Sequence, residues 1–129
     1  MGQFGIGVKA IIMDGSRMLL IKRSNRYADS GGIWDIPGGR LNFGEEPEDG
    51  LRREVREETG LEIEIKRILD ASTIFLDDKT HIVRLTYLCT STDTVVRLSD
   101  EHTEAKWIKP SEIDFELKDR LIGKALGRL

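Results

Sequence analysis

The alternation of apolar and polar positions predicts a chain that mixes strands and helices. Residues 8–13 and 17–23 are apolar runs joined by Asp14-Gly15-Ser16. Since the glycine of this turn can supply the positive φ of a hairpin loop, the two runs are predicted to pair. Residues 63–76 and 81–90 are rich in β-branched and aliphatic side chains around a short polar turn, which predicts a second hairpin.

Two segments carry helix signals. Pro47 suits the first turn of a helix, neighbouring acidic residues complement the positive helix start, and Gly60 can supply the left-handed residue that ends a helix, so a helix is predicted over roughly residues 47–59. Pro110 and Ser111 predict the start of a C-terminal helix. In that second segment apolar residues recur at helical spacing, at Ile113, Leu117, Leu121 and Ile122.

The remaining segments predict loops and short strands. Residues 24–33 are polar and contain glycine, which indicates a loop. The piece Trp34-Asp35-Ile36 is predicted to be extended and to end at Pro37-Gly38-Gly39, where a sharp turn could point a backbone carbonyl toward the first helix. Further along, we expect a strand ending near Leu98, a polar loop, and a short strand over residues 105–108.

Length and composition predict one soluble domain over residues 1–129. The longest apolar run, residues 10–13, is far shorter than the roughly 20 residues of a membrane-spanning helix, and no secretory signal is recognisable, so a cytoplasmic location is expected. A net charge of −3 gives no general reason to expect binding to nucleic acid. The lone Cys89 lies in an alternating run and is predicted to be a small buried side chain.

Negative charge is concentrated on the first predicted helix. At 100° per residue, Glu54, Glu57 and Glu58 share one face, whereas Arg52 and Arg56 point away. Two carboxylates about 6 Å apart repel each other by roughly 3 kcal/mol at an effective dielectric constant near 20. Two interpretations therefore stay open: a hard divalent cation such as Mg²⁺ or Mn²⁺ balances the face, or the helix is solvated and supported by ion pairs.

From Gly39 to Leu61 the sequence resembles the Nudix box at every specified position. The pattern is Gly-x5-Glu-x7-Arg-Glu-aliphatic-x-Glu-Glu-x-Gly-aliphatic, and Gly39 and Glu45 are followed here by Arg53-Glu54-Val55-Arg56-Glu57-Glu58-Thr59-Gly60-Leu61. The flanks, Trp34-Asp35-Ile36-Pro37-Gly38-Gly39 before the box and Glu101-His102 with Trp107 after it, are also similar to the family. The chain is thus identified as resembling a MutT-like Nudix hydrolase.

The resemblance implies a fold and a reaction. The fold is α/β (α+β), with a Nudix-type mixed β-sheet sandwiched between helices. The reaction is hydrolysis of a nucleoside diphosphate linked to another group, with Mg²⁺ as cofactor and Mn²⁺ as a substitute. Carried over by position, the metal ligands are Glu54, Glu57, Glu58 and the carbonyl of Gly38, while Arg53 orients the carboxylates and Glu45 supports it.

The general base and the substrate contacts are less determined. The base comes from the box, with Glu57 as the candidate, or from the later loop, where Glu101 is preferred to Glu104. Phosphate contacts are expected from Arg23 and Arg40, with Lys22 beside them, although ordinary solvation of a strand end remains open. A base contact is expected from Ile36, Phe75, Tyr27 or the C-terminal helix, although core packing is preferred for Phe75. His102 is expected in a loop.

The substrate class is expected by elimination. The marks that often accompany the box in pyrophosphatases for ADP-ribose and in dinucleoside polyphosphate hydrolases are absent from residues 73–79. This leaves hydrolysis of a nucleoside triphosphate, including an oxidised one, to monophosphate and pyrophosphate. The alternatives are an ADP-ribose or other nucleoside-diphosphate-X pyrophosphatase and a catalytically silent nucleotide-sensing module. Small nucleotides are the expected partners, without extended nucleic acid or membrane, and a homodimer stays open.

Overall fold

A computed structural model describes residues 2–24, 33–113 and 119–129. Its helices are α1 (Pro47–Thr59) and α2 (Arg120–Leu126), with a single 3₁₀ turn at Pro110–Glu112 in the part described. Its strands are β1 (Gln3–Asp14), β2 (Arg17–Arg23), β3 (Trp34–Asp35), β4 (Gly38–Arg40), β5 (Ile63–Asp77), β6 (Thr80–Ser91) and β7 (His102–Ile108). Both predicted hairpins, β1 with β2 and β5 with β6, are confirmed.

The strands form one mixed sheet in the order β3-β2-β1-β6-β5, with β4 paired to β1 and β7 paired to β2. The pair β1 and β6 is parallel, from Gln3 opposite Thr80 to Met13 opposite Thr90, and the other pairs are antiparallel. With partners on both edges, β1 lies at the centre of the sheet, and its residues 10–12 are fully buried.

The sheet lies between the two helices. Successive side chains of a strand point to opposite faces. Val8, Ala10 and Ile12 of β1 accordingly join a core with Leu51 and Val55 of α1. Ile11 instead joins a second core with Ile122 and Ala125 of α2. The sandwich expected from the resemblance is confirmed.

Helix α1 begins and ends as predicted. Pro47 stands in its first turn with two acidic residues, and Gly60 ends it with a φ of 74°. The apolar side chains of Leu51 and Val55 are fully buried against the sheet. The opposite, charged face of α1 is therefore available for chemistry.

The predicted turn at Pro37-Gly38-Gly39 is wrong in part. The chain bends at Pro37, but the diglycine continues as β4, which pairs with residues 7–9 of β1. Gly38 has a φ of 149°, and a Cβ atom there would overlap the carbonyl oxygen of Val8. Because glycine has no Cβ atom, β4 and β1 can approach each other closely at this position. The chain thereby passes from β3, which pairs with β2, to β4, which pairs with β1.

Two other predictions for the C-terminal half are wrong. Residues 93–99 form no strand; instead the N–H groups of Arg97 and Ser99 bond to the carbonyls of Thr59 and Glu58, at 2.8 and 3.3 Å. Carbonyls at a helix end lack partners within the helix, which explains this attachment. Pro110–Glu112 forms a 3₁₀ turn rather than the first turn of an α-helix, and α2 spans Arg120–Leu126, with Asp119 as its N-cap. The predicted helical position Leu117 lies outside the described residues.

Cys89 is fully buried, and burial raises the pKa of its thiol to about 12, so its predicted role as a small core side chain is confirmed. No helix in residues 2–24, 33–113 and 119–129 has the length and apolar character needed to cross a membrane.

Candidate functional site

Arg53, on the charged face of α1, gathers three carboxylates. Its Nε and Nη2 donate to the two oxygens of Glu45 at 2.7 and 2.9 Å, and its Nη1 donates to Glu54 at 2.9 Å and to Glu57 at 3.3 Å. Hydrogen bonds from Arg53 hold the pKa of Glu45 at about 2. Nη2 also donates to the carbonyl of Arg40 at 3.2 Å. One cation is thus shared by three carboxylates, which leaves this cluster negative.

Two glycines let the backbone pack directly against these carboxylates. A Cβ atom on Gly39 would lie 2.6 Å from the Glu54 carboxylate, and one on Gly50 would overlap Leu41 and lie 2.9 Å from a Glu45 oxygen. Sequence reasoning missed Gly50. The available signal was a glycine inside a helix, where it costs about 1 kcal/mol relative to alanine and therefore calls for a packing reason.

Glu58 points from α1 toward β4 and is buried, with 8% of its surface exposed. Its Oε1 accepts the N–H of Gly38 at 2.8 Å. Burial raises the pKa of Glu58 to about 7, although this hydrogen bond and the charge of Lys9 act in the opposite direction. Lys9 itself donates to Asp35 at 2.9 Å and to the Ile36 carbonyl at 3.2 Å. In the described part of the chain, Glu58 accepts no hydrogen bond from a lysine or arginine.

The donor set of this face fits a hard divalent cation. Glu54, Glu57 and Glu58 offer carboxylate oxygens, the ligands that Mg²⁺ and Mn²⁺ prefer, and Glu58 is a buried acid whose charge lacks a direct cationic partner. Among the described residues, no group of three or more His, Cys, Asp or Glu side chains is arranged so that it could hold a metal ion. Arg53 donates hydrogen bonds to Glu54 and Glu57 in this arrangement. Gly38 meets Glu58 through its N–H, and ligation through its carbonyl stays a prediction.

A cleft of about 900 Å³ opens between β3, β5 and the start of α2. Arg23 and Arg40, both predicted to contact phosphate, lie in its wall together with the apolar side chains of Trp34, Ile74 and Leu121. Arg40 links the two parts of the site, since its carbonyl bonds Arg53 while the residue also lines the cleft. The structure therefore places a cationic cleft next to the negative cluster.

The expectation that Glu101 and Glu104 share the later loop is wrong, because Glu101 lies in the turn before β7 and Glu104 lies on β7 itself. Glu101 is exposed, and its carbonyl accepts the N–H of Ser24 at 2.8 Å; its carboxylate makes no hydrogen bond in the part of the chain that the structure describes. Glu104, on β7, pairs with Lys22 at 3.2 Å. Lys22 thus has a carboxylate partner, while the roles of Lys22, Glu101 and Glu104 stay predictions.

His102 is not a loop residue. It opens β7 opposite Arg23 and is 6% exposed. Burial, followed by the charges of Arg23 and Lys9, lowers its pKa to about 4, so it is neutral at pH 7. Its position follows from the pairing of β2 with β7, which brings the polar end of the loop into the sheet.

The expected base contacts need correction. Phe75 is 66% exposed and does not pack in the core; its ring lies 5.0 Å from that of His81, which lies 5.0 Å from that of Phe4. Phe75 lies near the β5–β6 turn, outside both core clusters. Ile36 is buried in the α2 core, which removes it from the cleft surface. Tyr27 lies outside the described residues.

Comparisons with known proteins point to one family. The NUDIX domain family matches residues 3–126. A MutT-like protein from Streptomyces ambofaciens is 33% identical over 103 residues, 80% of this chain, and the match spans 62% of that protein's length. The nucleoside triphosphatase NudI from Escherichia coli O17:K52:H18 is 28% identical, with 80% of each chain covered. The crystal structure of a MutT protein from Methanosarcina mazei Go1 has a TM-score of 0.86 at 27% identity, covering 98% of this chain and 93% of that one.

Proposed function

Because the chain belongs to the NUDIX family, we propose that it hydrolyses a nucleoside triphosphate, including an oxidised or non-standard one, to nucleoside monophosphate and pyrophosphate with Mg²⁺. The similarity to a nucleoside triphosphatase supports this substrate class. One observation carries the proposal: Arg40 joins the carboxylate cluster around Arg53 to a cleft that also contains Arg23.

The negative cluster is the proposed metal site. Glu54, Glu57, Glu58 and the Gly38 carbonyl hold Mg²⁺, and Mn²⁺ substitutes for it. When bound, the ion supplies charge neutralisation on the pyrophosphate oxygens and a water of lowered pKa. Arg53 keeps Glu54 and Glu57 side by side, and Glu45 fixes Arg53 through two hydrogen bonds.

The cleft is the proposed binding site for the nucleotide. Arg23 and Arg40 bind the phosphate oxygens, because a guanidinium presents a planar pair of donors that matches them. Glu101 accepts a proton or assists the metal site from the exposed loop, and Glu57 is the alternative base. A small nucleotide is the partner; a cytoplasmic location and a homodimer are further predictions.

Hydrolysis of a panel in ¹⁸O-labelled water tests the proposal. The purified chain is given nucleoside triphosphates, ADP-ribose and dinucleoside polyphosphates with Mg²⁺, and products are identified by mass. We expect monophosphate and pyrophosphate, with label in one of them. Label confined to orthophosphate would contradict the proposal, whereas a strong preference for ADP-ribose would support the alternative, a nucleoside-diphosphate-X pyrophosphatase. Absence of any hydrolysis would favour the silent module.

A further inference from the structure

Trp34, on β3, lines the cleft between β3, β5 and α2, and the proposed chemistry gives it no role. Its position is fixed by the surrounding fold. The backbone of Trp34 pairs with Lys22 of β2, and its side chain packs against the core that contains Ile122 of α2. A tryptophan held in this way presents a fixed ring, so a ligand that contacts it pays little for ordering it.

Two lysines approach the ring of Trp34 from outside the cleft. Lys106 Nζ lies 4.3 Å from the ring centroid, within the range of a cation–π contact, and Lys22 Nζ lies 5.9 Å from it. Neither lysine lines the cleft, whereas Trp34 does. The ring therefore lies between these ammonium groups and the cleft, and the surface that it turns to the cleft is left for a ligand.

The cleft wall combines this ring with aliphatic side chains and with arginines. Ile74 of β5 and Leu121 of α2 line the same cleft as Trp34. Arg23 and Arg40 line it as well, and the Arg40 carbonyl accepts a hydrogen bond from Arg53 of the carboxylate cluster. A molecule that fills this cleft should therefore carry both an apolar, planar part and an anionic part.

The two carboxylates that the described chain contributes to this wall already have cationic partners. Asp35 accepts a hydrogen bond from Lys9 at 2.9 Å, and Asp119 pairs with Arg84. Because both charges are balanced within the chain, they repel an anionic ligand less than free carboxylates would. The wall thus accepts an anion and offers an aromatic surface for its uncharged part.

We propose that Trp34 is a substrate-binding residue whose ring stacks on the nucleobase of the bound nucleotide, which rests on the proposed action on nucleoside triphosphates. Every nucleobase has a π-face, so stacking on an aromatic side chain tolerates any base. Arg23 and Arg40 bind the phosphates in the same cleft. The contact with Trp34 therefore selects a nucleotide over a phosphate compound without a base, rather than one base over another.

Calorimetric titration with AMP, GMP, UMP and ribose 5-phosphate measures the contribution of the base without hydrolysis. Trp34→Leu should weaken the binding of each nucleotide by about 5-fold or more, because the stacking contact is lost, and should leave the binding of ribose 5-phosphate unchanged. Trp34→Phe keeps a smaller aromatic ring and should lose less. Trp107→Phe changes the other tryptophan of the chain, which does not line the cleft, and should bind as the unmodified chain does.

Tryptophan fluorescence reports the stacking contact itself. In Trp107→Phe, Trp34 is the single tryptophan of the chain, so the emission comes from the ring in the cleft. A base stacked on this ring should quench the emission. AMP should therefore quench the fluorescence of Trp107→Phe, whereas ribose 5-phosphate should not.

Equal weakening of AMP and ribose 5-phosphate binding in Trp34→Leu would overturn the inference, since it would indicate a role in the fold or at the phosphates. Undetectable binding of AMP to the unmodified chain would overturn it as well, as would binding of AMP to Trp107→Phe without quenching. If Trp34→Leu does not fold, judged by thermal melting, or if ribose 5-phosphate binds too weakly for comparison, the quenching measurement decides.

These measurements distinguish a failure of the inference from a failure of the proposed function. If no triphosphate is hydrolysed but AMP binds and quenches the emission of Trp34, the base contact stands and the hydrolytic function fails. If triphosphates are hydrolysed and AMP binds without quenching, the function stands and the contact between Trp34 and the base is overturned.

Discussion

Glu58 and Asp70 are both buried carboxylates, but their surroundings differ. Asp70, on β5, is 2% exposed and lies 3.0 Å from Arg128 and 3.5 Å from Lys124, while Ser72 donates to it at 2.6 Å. Glu58 is 8% exposed and accepts the N–H of Gly38. Burial raises the pKa of each, yet the partners of Asp70 bring its pKa below the ordinary value, whereas that of Glu58 rises to about 7.

The difference separates a carboxylate that is balanced by ion pairs from one that has no ion pair in the described part of the chain. Asp70 binds the end of α2 and the residues after it to the edge strand, and its charge is balanced by two cations of this chain. The α1 cluster, by which we mean Arg53 with Glu45, Glu54, Glu57 and Glu58, has four carboxylates and one arginine. Since burying an unbalanced carboxylate is unfavourable, stability alone does not account for the α1 cluster, which agrees with its proposed role as a metal site.

The largest effect is expected on the α1 side. Glu57→Gln should lower turnover at least about 100-fold at saturating Mg²⁺, because a metal ligand and its charge are lost. Folding should persist, since the Glu57 side chain is 59% exposed. Steady-state kinetics with a thermal melt would measure both.

The control for Glu57→Gln is Glu48→Gln, on the same helix, whose carboxylate pairs with Arg52 at 3.5 Å outside the cluster. It should retain full activity. Near-full activity of Glu57→Gln at saturating Mg²⁺ would remove Glu57 from the metal site.

A smaller loss is expected from the later loop. Glu101→Gln should reduce kcat by roughly 10- to 100-fold with a modest change in KM, because a proton acceptor used in the transition state is lost. Glu104→Gln should have little effect, since Glu104 is paired with Lys22. If Glu104→Gln lowers kcat strongly and Glu101→Gln lowers it only slightly, the two residues have exchanged roles. If both variants keep most of their kcat, the general base lies on α1.

On the other side of the comparison, Asp70→Asn should lower the free energy of unfolding by about 1–3 kcal/mol, because a buried carboxylate with several partners is replaced by an amide. Urea denaturation would measure it. Ser99→Ala, which removes a single exposed hydroxyl contact, is a suitable control. An unchanged midpoint would show that the Asp70 network does not stabilise the fold.

The smallest expected effect is on the pH dependence of the unfolding free energy, to which Glu58 and Asp70 contribute with opposite signs. The folded state holds a proton on Glu58 more tightly than the unfolded state does, so the unfolding free energy of metal-free protein should fall as pH rises from about 5 to 7, by on the order of 1–2 kcal/mol. For Asp70 the stabilisation is present above its unfolded pKa and is lost as pH falls through the lowered folded pKa.

Denaturation in the presence of a chelator, repeated with Glu58→Gln, would test the Glu58 part. The variant should lack the decline between pH 5 and 7. A decline of equal size in the variant would assign it to other groups.

Local signals explain what the sequence predicted well. Pro47 and Gly60 determine the limits of α1, and residues three and four apart on that helix necessarily share a face, so helical periodicity is enough to group Glu54, Glu57 and Glu58. The helix wheel could not show that Arg53 would be shared between Glu54, Glu57 and a loop residue, Glu45. That contact depends on the path of the chain before α1.

The missed features depend on pairing between distant segments. The strand β4 forms by pairing with β1, His102 is buried because β7 pairs with β2, and the N–H of Arg97 bonds to the carbonyl of Thr59 at the end of α1. None of these follows from the residues nearby in sequence. The prediction for Phe75 is wrong for the same reason, since its pairing with His81 near the β5–β6 turn places it outside both cores, whereas Leu69 on the same strand is buried.

The parallel pairing of β1 with β6 has a consequence for how the protein is made. Because Gln3 pairs with Thr80, the central strand β1 can pair with β6 only after the intervening chain has been synthesised. Contacts between residues far apart in sequence form slowly because the loop between them must first be closed. The α1 segment is complete by Thr59, but β1, against which it packs, still lacks β6 at that point. During synthesis, the α1 segment with its apolar face is therefore exposed before the sheet can be finished.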